Sequence, residues 1–138
     1  MNETYEIEAV DSPEWSIIGG GISTFNQQQA GPDSAKNLCF VVKAPDGEVM
    51  GGVIGTTYWN WLSVELMWLK EEMRGQGYGR KLLTLAEEEG RRRGATHAHL
   101  DTFSFQAPGF YEKQGYQVFG ELKDFPPGHT RYYMVKEL

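Results

Sequence analysis

The chain has 138 residues, 40% hydrophobic and 13% aromatic, which suits one folded domain (1–138) built around a single core. Its 13 basic and 19 acidic residues leave a net charge of −6, which argues against general nucleic-acid binding and suits a cationic partner such as an amine. No run of about 18 apolar residues is present, so no membrane span is expected.

Residues 1–6 lack the basic and apolar regions of a signal peptide. The one cysteine, Cys39, lies in an apolar run and is expected to be a buried strand residue. An internal disulfide is impossible, and a reducing cytoplasm fits.

Thr4 to Val10 alternates polar and apolar residues and reads as a strand. Asp11-Ser12-Pro13-Glu14 carries the signals of a helix start. Gly19-Gly20-Gly21 predicts a break in the following helix, with a second piece over Ile22 to Gln28, because each glycine costs about 1 kcal/mol relative to alanine. Leu38 to Ala44 and Val49 to Tyr58 are strands joined by the Asp46-Gly47 turn. Gly51, Gly52 and Gly55 in the second of them point to a bulge or a close backbone approach. Trp59-Asn60 turns the chain into a third strand, Trp61 to Leu69.

Gly77 to Arg93 is the clearest helix. Leu82, Leu83, Leu85 and Ala86 form its apolar side. Glu87/Arg91, Glu88/Arg92 and Glu89/Arg93 are spaced for ion pairs on a solvated face. Gly94 ends the helix. A strand over Thr96 to Phe103, a short helix over Ala107 to Gln114, and strands over Tyr116 to Leu122 and Thr130 to Lys136 complete the chain. The order predicts a mixed α/β domain: four antiparallel strands first, then a parallel crossover.

That crossover contains Arg74-Gly75-Gln76-Gly77-Tyr78-Gly79-Arg80, a glycine-rich turn between a strand and a helix. Without Cβ atoms the backbone can approach a ligand closely. The helix start adds unpaired N–H groups and the positive end of its dipole. Phosphate is the ligand such a turn suits. A Walker loop needs Lys and then Ser or Thr after the last glycine, but Arg80-Lys81-Leu82 stands there. A dinucleotide fingerprint needs a third glycine where Arg80 lies; Asp101, about 20 residues on, keeps that reading weakened rather than eliminated.

The R-x-x-G-x-G pattern of Arg74 to Gly79 resembles the pyrophosphate turn of the GCN5-related N-acetyltransferases (GNAT). Phe110-Tyr111-Glu112-Lys113-Gln114-Gly115-Tyr116 is similar to the family's helix-to-strand signature. The resemblance runs from about Leu38 to Leu122. Two departures stand out: Leu69-Lys70-Glu71 replaces the usual Val-x-Pro, and Ser104 stands where the family often has an Asn that contacts the pantetheine arm.

The resemblance implies the acyl-CoA N-acyltransferase fold, with a mixed sheet of six to seven strands and about four helices. It implies acetyl-CoA as co-substrate, no metal, and direct transfer of the acetyl group to a primary amine. A non-catalytic module of the same fold, holding coenzyme A or another nucleotide, is the alternative. Tyr111 would be the acid beside the coenzyme sulfur, and its other reading is a packed aromatic.

Glu65 sits in the apolar strand segment Val64 to Trp68, where a charge is costly unless used or paired. It would be the base, with Asp101 as runner-up and a structural glutamate as the other reading. Alternation puts Glu65, Met67 and Leu69 on one face. Backbone amides of Met67, Trp68 and Leu69 would bind the pantetheine. Arg74, with the amides of Gln76 to Arg80 in the Gly75–Gly79 turn, would hold the pyrophosphate. Tyr58, Trp59 and Trp61, with Trp15 and Phe25, could wall an amine site by cation–π contact or simply pack. The acceptor, a small molecule or a protein amine, is left open, as is a homodimer; neither nucleic acid nor membrane is an expected partner.

Overall fold

The computed structural model describes residues 4–138, and contacts divide the chain into two compact units, Met1–Asp33 and Ser34–Leu138. In the first unit, α1 runs over Trp15–Ala30 without interruption. The break predicted at Gly19-Gly20-Gly21 is absent. Glycine weakens a helix but does not forbid helical dihedrals, and Trp15, Ile18, Ile22 and Phe25 carry an apolar stripe at helical spacing through the triplet. Residues 4–10 form no strand, contrary to their alternation. Alternation supplies a face but not a partner, and residues 4–33 contain no second strand to pair with.

The second unit is a six-stranded sheet in the order β1-β2-β3-β4-β6-β5. Its strands are β1 (Lys36–Lys43), β2 (Val49–Tyr58), β3 (Trp61–Leu69), β4 (His97–Phe103), β5 (Gln117–Lys123) and β6 (Thr130–Glu137). The helices are α2 (Tyr78–Arg92) and α3 (Pro108–Lys113), with a 3-10 turn over Glu71–Met73. The described residues thus hold three helices rather than about four, and three antiparallel strands, not four, precede the crossover. Only β3–β4 is parallel.

Leu82, Leu83 and Ala86 of α2 are buried with Leu38, Val53, Leu62 and Val64 of the sheet. This core face leaves the alternate residues on the other side. Cys39 is therefore exposed rather than buried, because Leu38 and Phe40 on either side of it take the core positions.

The charged run of α2 also departs from a simple solvated face. Glu89 pairs with Arg92 and Arg93. Glu87 is only 5% exposed. It accepts a hydrogen bond from the Tyr116 hydroxyl at 2.8 Å and pairs with Lys136 Nζ at 3.0 Å. A buried carboxylate survives because both partners come with it. Lys136→Met should destabilise the fold by about 3 kcal/mol, since it leaves the charge short of a counter-ion. Tyr116→Phe should cost about 1–2 kcal/mol. Adding Glu87→Leu to Lys136→Met should recover most of the loss; urea denaturation of the three variants checks this.

Candidate active site

β3 and β4 pair only at Trp61–His97, Leu62–Ala98 and Ser63–His99. Both strands continue well beyond, to Leu69 and Phe103, but they splay. The far edge of β3 is taken by β2 and that of β4 by β6. The inner edges, past Ser63 and His99, carry no ladder pairing among the described residues. They form a V whose walls are strand edges without ladder partners among the described residues.

A β-bulge accompanies the opening. Gly55 pairs with Val64 and Ile54 with Leu66, so Glu65 is the extra residue. At Gly55 a Cβ would lie 2.8 Å from the Ser63 carbonyl oxygen, so only glycine admits this approach. The extra residue reverses the alternation. Val64 before it and Met67 and Leu69 after it face the core. Glu65, Leu66 and Trp68 do not, and Leu66 and Trp68 are 66% and 55% exposed. The expectation that Glu65 shares a face with Met67 and Leu69 is thus corrected.

Glu65 Oε1 accepts a hydrogen bond from Thr56 Oγ1 at 2.8 Å, with the Asn37 side-chain amide 3.0 Å from the same hydroxyl. Thr56 and Asn37 were not anticipated. Their positions opposite the bulge follow only from the strand register.

The glycine turn lies beyond the end of β3. Gly77 is the N-cap of α2 in the left-handed region (φ +87°), and nothing lies within 4 Å of where its Cβ would be. No side chain caps this helix start. The first N–H groups of α2 are therefore available to an anion. Arg74 donates through Nε to the Leu69 carbonyl at 3.0 Å, which fixes the guanidinium and leaves both Nη groups without a partner among the described residues. Gln76 is occupied by the Glu72 carbonyl at 2.8 Å, and Lys81 lies over the Tyr78 ring. Gly79 sits where a Cβ would be 3.4 Å from Phe110 of α3, so the turn and α3 meet at the V.

Tyr111 follows Phe110 and is 8% exposed. Its ring packs edge-on against Phe110 and Tyr116. The hydroxyl makes no hydrogen bond among the described residues. No side-chain polar atom there is both fully buried and unpaired, so this oxygen reaches solvent. Burial, and then the charge of Asp101, push its pKa above the ordinary phenol value. Ser104 clasps the start of β6: its N–H donates to the Thr130 carbonyl (2.8 Å) and its Oγ accepts from the Thr130 N–H (3.1 Å). Its hydroxyl proton is left to donate.

Trp61 lies beside the closed end of the V, stacked on His97 (4.7 Å between centroids) and edge-on to His99. Tyr58 and Trp59 are at the hairpin tip, with their rings 6.3 Å apart. Trp15 and Phe25 belong to the other unit. On β4, Asp101 pairs with Arg131, which is flanked by Phe103 and Phe125. Of this cluster, sequence reasoning reached Asp101 but missed the rings, which come from a strand and a loop. Among the described residues no group of three or more His, Cys, Asp or Glu is placed to hold a metal ion.

A mixed six-stranded sheet whose one parallel pair splays beside a bulge, followed by an uncapped glycine turn, is the fold of the acetyltransferase class. The chain belongs to the acetyltransferase (GNAT) family, whose model matches residues 1–116. It is an acetyl-CoA-dependent N-acetyltransferase.

It is 42% identical over 93 residues to a blasticidin-S acetyltransferase of Streptomyces morookaense, covering 67% of this chain and 68% of that one. It is 33% identical over 129 residues to acetyltransferase Atu2258 of Agrobacterium fabrum (strain C58), covering 94% of each. The crystal structure of an acetyltransferase from Bacillus cereus ATCC 14579 matches with a TM-score of 0.90 and 34% identity, over 97% of this chain and 98% of that one.

Gly55→Ala places a methyl group against the Ser63 carbonyl and works against the bulge. It should lower stability by about 1–3 kcal/mol and weaken acetyl-CoA binding along with it. Thermal denaturation with and without acetyl-CoA separates the two effects.

Proposed function

We propose that the chain acetylates a primary amine of a small cationic molecule, in the class of amine-bearing antibiotics, with all 138 residues acting as one catalytic domain in the cytoplasm. No helix among the described residues is long and apolar enough to cross a membrane. The observation that carries the reading is the V between β3 and β4, open beyond three paired residues.

The pantetheine arm lies in the V as an added strand would, paired with the backbone of Met67 and Leu69; Trp68, expected to join them, turns its backbone groups to Gly52 of β2 instead. The Nη groups of Arg74 and the amides of Gln76, Gly77, Tyr78, Gly79 and Arg80 hold the pyrophosphate, with Gly75 allowing the turn. The Ser104 hydroxyl donates to the arm. The backbone N–H groups of β3 polarise the thioester carbonyl.

The neutral amine attacks that carbon. The new N–C bond forms as the C–S bond breaks. Glu65, acting through a water, takes the amine proton, and Tyr111 gives its proton to the departing thiolate. Trp61 lines the amine's approach, with Tyr58 and Trp59 farther out. The identity with a blasticidin-S acetyltransferase supports the antibiotic class.

Acetyl-CoA should raise the melting temperature and NAD should not. Thiol release with blasticidin S as acceptor then tests the reaction; no release from this or any other amine in a broad screen overturns it. Tyr111→Phe should lower kcat by about 10²-fold while leaving acetyl-CoA binding largely intact.

The raised pKa of Tyr111 carries a sign. The phenol keeps its proton through its ordinary range, near 10. The kcat profile should therefore show no alkaline fall below about pH 10 from loss of this acid. Glu65→Gln should depress the rate most at lower pH, where the acceptor is protonated, and an unaltered profile removes Glu65 as the base.

A further inference from the structure

Each lip of the V carries one carboxylate: Glu65 on β3 and Asp101 on β4. Asp101 is held in an unusual way. Arg131 Nε (2.9 Å) and Nη2 (2.7 Å) both reach Asp101 Oδ1, leaving Oδ2 with no partner among the described residues. The guanidinium is itself fixed, lying 5.0–5.4 Å from the ring centroids of Phe125, Tyr133 and Phe103. An arginine enclosed in this way is no anion site; it fastens one oxygen of a carboxylate and leaves the other open.

Asp101 stands close enough to Tyr111 for its charge to act on that hydroxyl. Beside it runs a ledge of rings. Phe105 stacks on Phe103 at 5.3 Å, His129 meets Phe105 edge-on at 4.9 Å, and Phe125 is 5.9 Å from Phe103. Phe105 and Phe125 are exposed. Exposed rings beside an open carboxylate oxygen match a ligand that is flat at one end and cationic at the other.

The geometry points to an acceptor subsite in which Asp101 Oδ2 binds a second cationic group of the acceptor and the Phe105–Phe125 ledge takes a planar ring. This rests on the acetyl-transfer reading and adds the acceptor's chemistry to it: a diamine, or an amine with a guanidinium, built on an unsaturated ring. Arg131 is the positioning residue of Asp101.

Three acceptors separate the features. p-Xylylenediamine has two amines and a flat ring, benzylamine lacks the second amine, and 1,4-bis(aminomethyl)cyclohexane lacks the flat ring. For the wild type, the acceptor KM should be lowest for p-xylylenediamine and about tenfold higher for each of the others. In Asp101→Asn the diamine-to-monoamine KM ratio should collapse towards one, with the acetyl-CoA melting shift reporting an intact donor site. Arg131→Met should act in the same direction, and combining it with Asp101→Asn should add little. Arg131→Lys serves if the Met variant does not fold.

A preserved ratio in Asp101→Asn overturns the proposal. A lost kcat with the ratio preserved overturns it in favour of Asp101 as the base. If the wild type acetylates no amine, the acetyl-transfer reading fails separately. Calorimetric binding of p-xylylenediamine to wild type and Asp101→Asn, with coenzyme A present, then decides the subsite: equal affinities overturn it.

Discussion

One extra residue in β3 governs the site. The bulge at Glu65 lets both halves of the strand feed one core face although their alternation is out of phase. Before it, Leu62 and Val64 feed the core; after it, Met67 and Leu69 do. Were Glu65 paired regularly instead of bulged, alternation carried on from Val64 would turn Leu66 and Trp68 inward and Met67 and Leu69 outward. The bulge also bends β3 and adds local twist, which fits its parting from β4 just after Ser63. The gap so formed leaves two strand edges without ladder partners, the kind of edge to which an amide-bearing arm can add as a strand does.

The electrostatics divide along the same opening. An acidic protein binding an anionic coenzyme needs local relief from its own field. The helix start at Gly77 and the Nη groups of Arg74 provide it at the glycine turn, where we propose the pyrophosphate lies. The lips of the V carry Glu65 and Asp101, so the strand edges are acidic where the turn is positive. The overall charge of −6 favours cations in general, while the turn needs only its first few ångströms to be positive.

What could be read from the sequence was local. The glycine turn, the three sheet strands before it and α2 lie within about two residues of their predicted bounds, because turn residues and periodicity act over short range. What escaped needed pairing information. Thr4 to Val10 alternates like a strand, yet no ladder exists there. Glu87 has the spacing of a surface ion pair, but Tyr116 and Lys136, far away in sequence, draw it inside. Cys39 lies in an apolar run but on the uncovered face. The Gly55 signal did foretell a close approach, but not that Glu65 was the residue displaced. A bulge is a mismatch between two strands, and one strand read alone does not contain it.

Tyr111 and Tyr116 show how surroundings rather than residue type assign a role. They are five positions apart, both buried, with their rings 6.0 Å apart. Burial raises the pKa of each, and a nearby carboxylate adds to it: Asp101 for Tyr111, Glu87 for Tyr116. The difference lies in where the proton points. The Tyr116 hydroxyl is committed to Glu87 at 2.8 Å, and releasing that proton would set two negative charges together in the core. Tyr116 is therefore a structural donor and cannot serve as an acid. Tyr111 has no such partner, and its oxygen reaches solvent. It keeps its proton for the same physical reason as its neighbour, but holds it towards solvent rather than against a carboxylate, which is what the proposed role of acid requires.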